Sequence, residues 1–139
     1  MLYANNIPNR RKVKKIANTS TIDVADCGTE FLISAMNAGA YTITLPTLAN
    51  AGPGWHCTIT NFDADASLGQ VVTIAADSGD GSKIANNFLD DDVYASEEAG
   101  NDLKFAASSL KGEYMEIFTD GEFWYIRALS SVNGGFATS

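Results

Sequence analysis

Apolar and polar residues alternate in short runs along most of this chain. In residues 41–45, Tyr41, Ile43 and Leu45 fall on one side of an extended backbone and two threonines fall on the other. Similar runs, rich in Ile, Val, Thr and aromatic residues, are separated by clusters of Gly, Asn, Asp and Pro, which is typical of an all-β protein. The pattern predicts about eight short strands, at residues 21–25, 29–35, 41–45, 55–60, 72–74, 101–109, 113–119 and 122–129.

The best-defined pair of strands flanks Asp120-Gly121. An Asp-Gly pair between two alternating runs predicts a two-residue type I′ hairpin, in which Thr119 lies opposite Glu122. One face of this hairpin is uniformly apolar and is predicted to line the core: Met115, Ile117, Trp124 and Ile126. The other face combines aromatic and charged residues, which is typical of a second buried layer, a face covered by a loop, or a subunit interface. The interface candidates are Tyr114, Phe118, Phe123, Tyr125 and Arg127.

These strands, without a convincing helix, predict a single jelly-roll-like β-sandwich over residues 21–130. Residues 1–20 lack both strand and helix periodicity and are predicted to form an extended basic N-terminal arm. Residues 131–139 follow the last predicted strand and are expected to be a flexible tail. Segment 86–98 contains three consecutive aspartates and is compatible with a loop, a helical turn or a strand.

Charge divides the chain into two parts of opposite sign. Five of the nine basic residues lie between positions 10 and 15, and no acidic residue precedes Asp23, so residues 1–15 carry +5. The remaining four basic and seventeen acidic residues give the rest of the chain −13. This split is typical either of an arm that binds an acidic surface, with a body that repels nucleic acid, or of a disordered, solubilising terminus. The candidate arm residues, basic and apolar, are Arg10, Arg11, Lys12, Lys14, Lys15, Ile7, Val13 and Ile16.

Length and composition restrict the class of protein further. A chain of 139 residues suits one domain with a single core. No apolar run approaches the roughly 18 residues of a membrane-spanning helix, and the first eight residues lack the pattern of a secretory signal, so neither membrane binding nor export is expected. Cys27 and Cys57 are too few for a disulfide scaffold and are expected to be reduced and buried.

Catalytic and metal-binding patterns are weak in this sequence. The one histidine, His56, alternates onto the polar side of its strand, away from Cys57, so these neighbours cannot form a nucleophile–base pair. Three Cys and His residues in all do not favour a zinc site. Asp63, Asp65 and Ser67 place oxygens at alternate positions, as calcium loops do, but the glycine and glutamate of an EF-hand are missing. We therefore expect a binding protein that is not an enzyme and uses no cofactor or metal ion.

Four motifs, taken in order, resemble a known group of proteins. They are Tyr-Thr-Ile-Thr-Leu-Pro at 41–46, Gly-Trp-His-Cys-Thr-Ile-Thr-Asn at 54–61, Val-Thr-Ile at 72–74 and Asp-Gly-Glu-Phe-Trp-Tyr at 120–125. Together they resemble the small β-sandwich modules of tailed-phage virion proteins, which occur in tail fibres and in capsid decoration, or cement, proteins. The chain begins with Met and ends soon after its last predicted strand, so we expect a free-standing decoration protein rather than a module of a fibre.

This resemblance implies a structural role in the virion. Decoration proteins of this kind are often trimers that sit where capsomers meet, on the outer capsid surface, and grip neighbouring capsid subunits with a terminal arm. By resemblance, the partners of this chain would be the major capsid protein and further copies of itself in a homotrimer, after synthesis in the host cytoplasm. The alternative is a receptor- or glycan-binding module of a tail fibre, which would use Trp55 or the Asp-rich loops.

Overall fold

A computed structural model describes residues 11–34, 39–63, 67–91 and 93–138. These residues form an all-β protein, as predicted, with one four-residue helix and a 3₁₀ turn at Val24–Asp26. None of the described helices is long and apolar enough to cross a membrane. The elements, in chain order, are β1 (Val13–Ile16), β2 (Ser20–Thr21), β3 (Glu30–Ile33), β4 (Tyr41–Thr44), α1 (Leu48–Ala51), β5 (His56–Asn61), β6 (Val72–Ala75), β7 (Ile84–Asp90), β8 (Val93–Gly100), β9 (Asp102–Phe105), β10 (Tyr114–Thr119), β11 (Trp124–Ser130) and β12 (Phe136–Ala137).

The strands form two sheets, so the predicted β-sandwich is confirmed. The seven-stranded sheet has the order β1-β3-β5-β10-β11-β7-β8, and the five-stranded sheet has the order β12-β9-β6-β4-β2. The first six strands alternate between the sheets, so β1, β3 and β5 run parallel in one and β2, β4 and β6 run parallel in the other. Strands β11 and β7 are also parallel. A jelly roll consists of antiparallel strands, so that part of the prediction is not confirmed.

The core lies between the sheets and follows the predicted alternation. In β4 the side chains of Tyr41 and Ile43 are buried, whereas the intervening threonines are half-exposed. The ring planes of Trp55 and Trp124 meet edge to face at 5.4 Å between centroids, an arrangement that aromatic quadrupoles favour. The four residues predicted to line the core from the last hairpin are all buried: Met115, Ile117, Trp124 and Ile126.

The register of that hairpin differs from the prediction by two residues. Thr119 lies opposite Trp124 rather than Glu122, so the loop has four residues. A type I′ turn requires positive φ at both central residues, but of Asp120 and Gly121 only the glycine has it, at 96°. Instead, the Asp120 carboxylate accepts hydrogen bonds from the backbone N–H groups of Glu122 and Phe123, at 2.8 and 2.9 Å. A shift of two residues leaves each side chain on its predicted face, which is why the core residues were still identified.

The boundaries of the sandwich also differ from the prediction at both ends. Strand β1 lies inside the predicted arm 1–20, where it forms an edge of the seven-stranded sheet, so the described half of the arm belongs to the sandwich. Strand β12 lies inside the predicted tail 131–139, and its Phe136 is buried against Phe105 and Phe88. The ambiguous segment 86–98 falls within the antiparallel strands β7 and β8. Of predicted strand 21–25, only Thr21 belongs to a strand, because the Asp23 side chain caps the following 3₁₀ turn by accepting from the Ala25 N–H.

Candidate functional site

The first candidate surface is the basic edge, which we define as Arg11, Lys12, Lys14 and Lys15 on and beside β1. Three of these cations bind carboxylates of the sandwich itself. The Arg11 guanidinium lies 2.8 Å from Glu30, and the ammonium groups of Lys12 and Lys14 lie 3.0 and 2.7 Å from the same oxygen of Asp26. Two carboxylates therefore pair with three of the four cations, and the basic edge keeps a net charge of about two positive units.

Asp26 is the centre of this arrangement because its side chain is almost fully buried while both lysines are half-exposed. The hydrogen bond from Lys14 lowers the pKa of the Asp26 carboxyl, and burial opposes this effect. The hydrogen bond from Lys12 and the charges of both lysines lower the pKa further, so the net direction is down. The predicted arm therefore binds the acidic body of its own chain, a partner that the sequence analysis did not consider.

The apolar candidates of the arm divide into two kinds. Ile16 packs against the core cluster and anchors β1, whereas the Val13 side chain remains 55% exposed. The carbonyls of Lys12 and Ile16 accept hydrogen bonds from β3 and from the residue that follows β3. Val13 and Lys15 alternate with these residues along β1, so their backbone groups point away from β3. The Lys15 ammonium also lies 5.2 Å from the centroid of the Phe62 ring. Ile7 and Arg10 lie outside the described residues.

Replacement Asp26→Asn is expected to loosen β1 and to lower the free energy of unfolding by about 1 kcal/mol, because a neutral amide cannot balance two ammonium groups. The folded pKa of Asp26 lies below its ordinary value of 3.8, so this stabilisation is present above pH 3.8 and is lost as the pH falls through the folded pKa. Hydrogen exchange of the Glu30 and Ser34 amides, which donate to carbonyls of Lys12 and Ile16, reports the docking of β1 directly. Unchanged exchange in the variant, with Glu122→Gln as an exposed control, would contradict this role.

The second candidate surface is the outer face of the seven-stranded sheet, where the predicted interface residues lie. Phe118 stacks on Tyr125 with 5.2 Å between centroids, and the Arg127 guanidinium lies 5.0 Å from the Phe118 ring. The Lys83 ammonium lies 4.5 Å from the centroid of Phe123. These aromatic rings therefore already cover part of each other's surface. Tyr114 lies apart from them, at the other end of β10.

A row of apolar side chains crosses the same face and includes Tyr114. Tyr114 pairs in register with Leu129, Leu129 with Leu89, and Leu89 with Tyr94, on the adjacent strands β10, β11, β7 and β8. We call these four residues the Tyr-Leu row. Leu129 is 42%, Leu89 38% and Tyr94 68% exposed, and these are three of the five large hydrophobic residues that are exposed in the described part of the chain. Sequence reasoning missed three members because it left segment 86–98 unassigned and did not treat Leu129 as an outward-facing residue.

A network of hydrogen bonds closes the end of the sandwich beside this row. The buried Glu113 carboxylate accepts from Ser109, Leu110, Ser130 and Ser131. Burial alone raises the pKa of Glu113, but the hydrogen bonds outweigh it and the net shift is downward. For the nearby Asp90, burial is the dominant cause and the net shift of its pKa is upward, with a smaller contribution from the charge of Glu113. Because its oxygens are already occupied by donors of the fold, Glu113 has a structural role.

The chain also brings together one cysteine and the histidine. Cys27 Sγ lies 3.8 Å from His56 Nδ1, and the same nitrogen lies 3.1 Å from the carbonyl oxygen of Gly54. A carbonyl can only accept, so the Nδ1 that faces it carries a proton and cannot deprotonate Cys27. Cys27 is exposed, contrary to the prediction, because it follows the 3₁₀ turn rather than occupying an inward strand position. Cys57 is buried as predicted, and burial raises the pKa of its thiol.

The side chains proposed for glycan or calcium binding mostly serve the fold. Trp55 is buried, and its ring N–H donates to the Val24 carbonyl at 2.8 Å, so it is not available to stack on a sugar. Asp80 accepts from the Leu48 N–H, and Asp90 accepts from the Phe136 N–H. Asp63 is buried and accepts from Ser34, whereas Asp65 lies outside the described residues. Within the described ranges, no group of three or more His, Cys, Asp or Glu residues is placed to hold a metal ion.

Comparison of the chain with protein-family models and with curated proteins finds no match.

Proposed function

We propose that this protein is a non-enzymatic structural protein of a tailed-phage virion, which binds the outside of the capsid and stabilises it by linking neighbouring capsid subunits. The structural observation that supports this is the presence of two chemically different contact surfaces on one sheet. The basic edge lies on β1, whereas the Tyr-Leu row lies on β10, β11, β7 and β8, with β3 and β5 between them. A protein that links subunits needs at least two contacts, and this sheet offers one surface for the capsid, the basic edge, and one for a further copy of the chain, the Tyr-Leu row.

The motifs that resemble phage virion proteins support the proposal at the level of the sandwich. Their apolar members include Ile43, Trp55, Ile59 and Ile74, all of which are buried. The resemblance therefore concerns how the core is built, while the contact surfaces come from residues outside those motifs. This division fits a group of proteins in which one sandwich serves several binding roles.

The basic edge is the surface that would contact the major capsid protein. Each exposed ion pair contributes only about 0–1 kcal/mol, so no single lysine or arginine would dominate the binding. Many copies on a symmetric particle would raise the effective concentration and convert weak contacts into firm attachment, provided that the protein is itself an oligomer. The homotrimer remains a prediction from the resemblance, as do the position on the outer capsid surface and the major capsid protein as partner.

The proposal predicts a fixed stoichiometric ratio of this protein to the major capsid protein in purified virions, measured by quantitative mass spectrometry. A few copies located at the tail would contradict it and favour a fibre module. In a reconstitution with capsids that lack the protein, the variant Arg10→Gln/Lys15→Gln removes Lys15 of the basic edge and Arg10, which precedes the edge in the sequence, but leaves the Arg11, Lys12 and Lys14 ion pairs intact. We expect it to bind roughly tenfold more weakly, a loss of about 1.4 kcal/mol.

The matched control for this experiment is Lys83→Gln/Lys104→Gln, which removes the same charge from other parts of the sandwich. It should bind as the unchanged chain does, and binding of the unchanged chain should weaken as salt is added. Equal binding by both double variants, at low and at high salt, would show that the basic edge is not the capsid contact.

A further inference from the structure

We infer that the Tyr-Leu row is the centre of an interface between two copies of this chain, related by a two-fold axis. The inference concerns the free protein and does not depend on capsid binding; the two-fold dimer differs from the homotrimer that the resemblance implies. The axis lies just outside the seven-stranded sheet, parallel to its strands and midway between β11 and β7. Rotation by half a turn about this axis places β10 of one copy over β8 of the other, and β11 over β7.

The side chains of the row follow a symmetric order. Read across the sheet, the row is Tyr114, Leu129, Leu89 and Tyr94, which has the same order of residue types in both directions. A two-fold interface brings one surface against itself, so that residue i contacts residue j and residue j contacts residue i. Under the rotation, each tyrosine faces a tyrosine and each leucine faces a leucine.

The charged residues on both sides of the row also fit the two-fold axis. On one side, Lys111 precedes β10 and Asp91 follows β7, and both are exposed. The rotation brings Lys111 of one copy toward the turn of the other copy that begins at Asp91, and symmetry repeats this pair. The body of the chain is strongly acidic, so a contact that places a cation beside an acidic turn is selective for this orientation.

On the other side of the row, Glu116 and Arg127 form the next register pair, followed by Asn87 and Ser96. The rotation places Glu116 over Ser96 and Arg127 over Asn87. Each charged group then faces a neutral side chain that can form a hydrogen bond with it, and no like charges meet. One row further along, Tyr125 of one copy faces Ala85 of the other, which pairs a large side chain with a small one.

Tyr94 is the most exposed residue of the row, and its ring is held in place. Its hydroxyl donates to Asn87 of its own chain at 2.6 Å, which fixes the ring along its own sheet. The rotation places this ring over Tyr114 of the other copy. Buried aromatic side chains are typical anchors of protein interfaces, and the two-fold axis supplies two such contacts.

The test is the oligomeric state of the free protein at micromolar concentration, measured by sedimentation. We expect a dimer, and we expect Leu129→Arg and Leu89→Arg to give monomers with unchanged folding, because both side chains are already well exposed in one chain. Val24→Arg, at an exposed hydrophobic residue outside the row, is the matched control and should remain dimeric. Lys111→Glu should weaken the dimer at least tenfold. A monomer, a trimer, or an oligomer of any size that survives Leu129→Arg would overturn the inference.

A crosslinking experiment tests the orientation of the two copies. In a Cys27→Ser background, the double variant Tyr94→Cys/Tyr114→Cys should crosslink into covalent dimers with a short bifunctional thiol reagent, because the rotation places these positions face to face. Tyr94→Cys alone should not crosslink, since its two copies lie three strands apart, about 14 Å across the sheet. Crosslinking by the single variant instead would exclude this axis. Failure of either experiment would leave capsid binding by the basic edge untouched, so the two proposals are distinguishable.

Discussion

Replacement Glu113→Gln is expected to lower the free energy of unfolding by about 3 kcal/mol at neutral pH, because several buried donors lose their acceptor. The carboxylate accepts five hydrogen bonds of 2.8 to 3.0 Å. Glutamine has one acceptor oxygen, and its amide group would direct two N–H donors at groups that are themselves donors. The loss should therefore exceed that of an exposed carboxylate. The partners are Ser109 Oγ, Leu110 N, Ser130 Oγ, Ser131 N and Ser131 Oγ.

The pH dependence of this loss identifies its cause. The pKa of Glu113 in the folded state lies below its ordinary value of 4.5, so ionised Glu113 stabilises the fold above pH 4.5. This stabilisation is lost as the pH falls through the folded pKa, and the difference between the unchanged chain and the Gln variant should become smaller there. Urea unfolding at several pH values, followed by the fluorescence of the two buried tryptophans, measures the difference.

Asp90→Asn is the matched control, because Asp90 is also buried but its pKa is shifted in the opposite direction. Its raised folded pKa means that ionisation destabilises the fold as the pH rises from 3.8 through the folded value. An asparagine oxygen can still accept from the Phe136 N–H, so at neutral pH this variant should be as stable as the unchanged chain or slightly more stable. Equal losses from the Asp90 and Glu113 variants would show that hydrogen bonding to Glu113 is not the main factor.

Phe136→Ala is expected to lower the free energy of unfolding by about 3–5 kcal/mol, although only three residues follow Phe136 in this sequence. Its ring is buried, with centroid distances of 5.2 Å to Phe105 and 6.1 Å to Phe88. Strand β12 also pairs with β9 and so completes one edge of the five-stranded sheet. For a chain of this length the loss corresponds to a decrease in melting temperature of roughly 10–15 °C, which thermal unfolding measures.

Two further variants serve as comparisons for Phe136→Ala. Thr138→Ala changes an exposed residue beyond β12 and should leave the melting temperature unchanged. Deletion of residues 131–139 removes Phe136 together with the Ser131 donors to Glu113, so it should be more damaging than Phe136→Ala alone. A deletion variant with unchanged stability would restore the view that these residues are a flexible tail.

The sequence by itself determined which strand residues face the core. Side chains alternate along an extended backbone as a local property, so Met115, Ile117, Trp124 and Ile126 could be assigned inward without any knowledge of their partners. This inward assignment was correct although the predicted hairpin register was wrong by two residues, because an even shift keeps every side chain on its face of the sheet. The all-β class followed from the same pattern.

The tertiary structure decided the features that depend on pairing between distant segments of the chain. Strand β1 has the sequence Val-Lys-Lys-Ile and carries no recognisable pattern, and it is a strand because β3 and Asp26 hold it. The parallel pairing of alternate strands depends on contacts between segments far apart in the chain, which alternation does not encode. The Tyr-Leu row has the same origin, because Leu89, Tyr94, Tyr114 and Leu129 become neighbours only through the registers of β7, β8, β10 and β11.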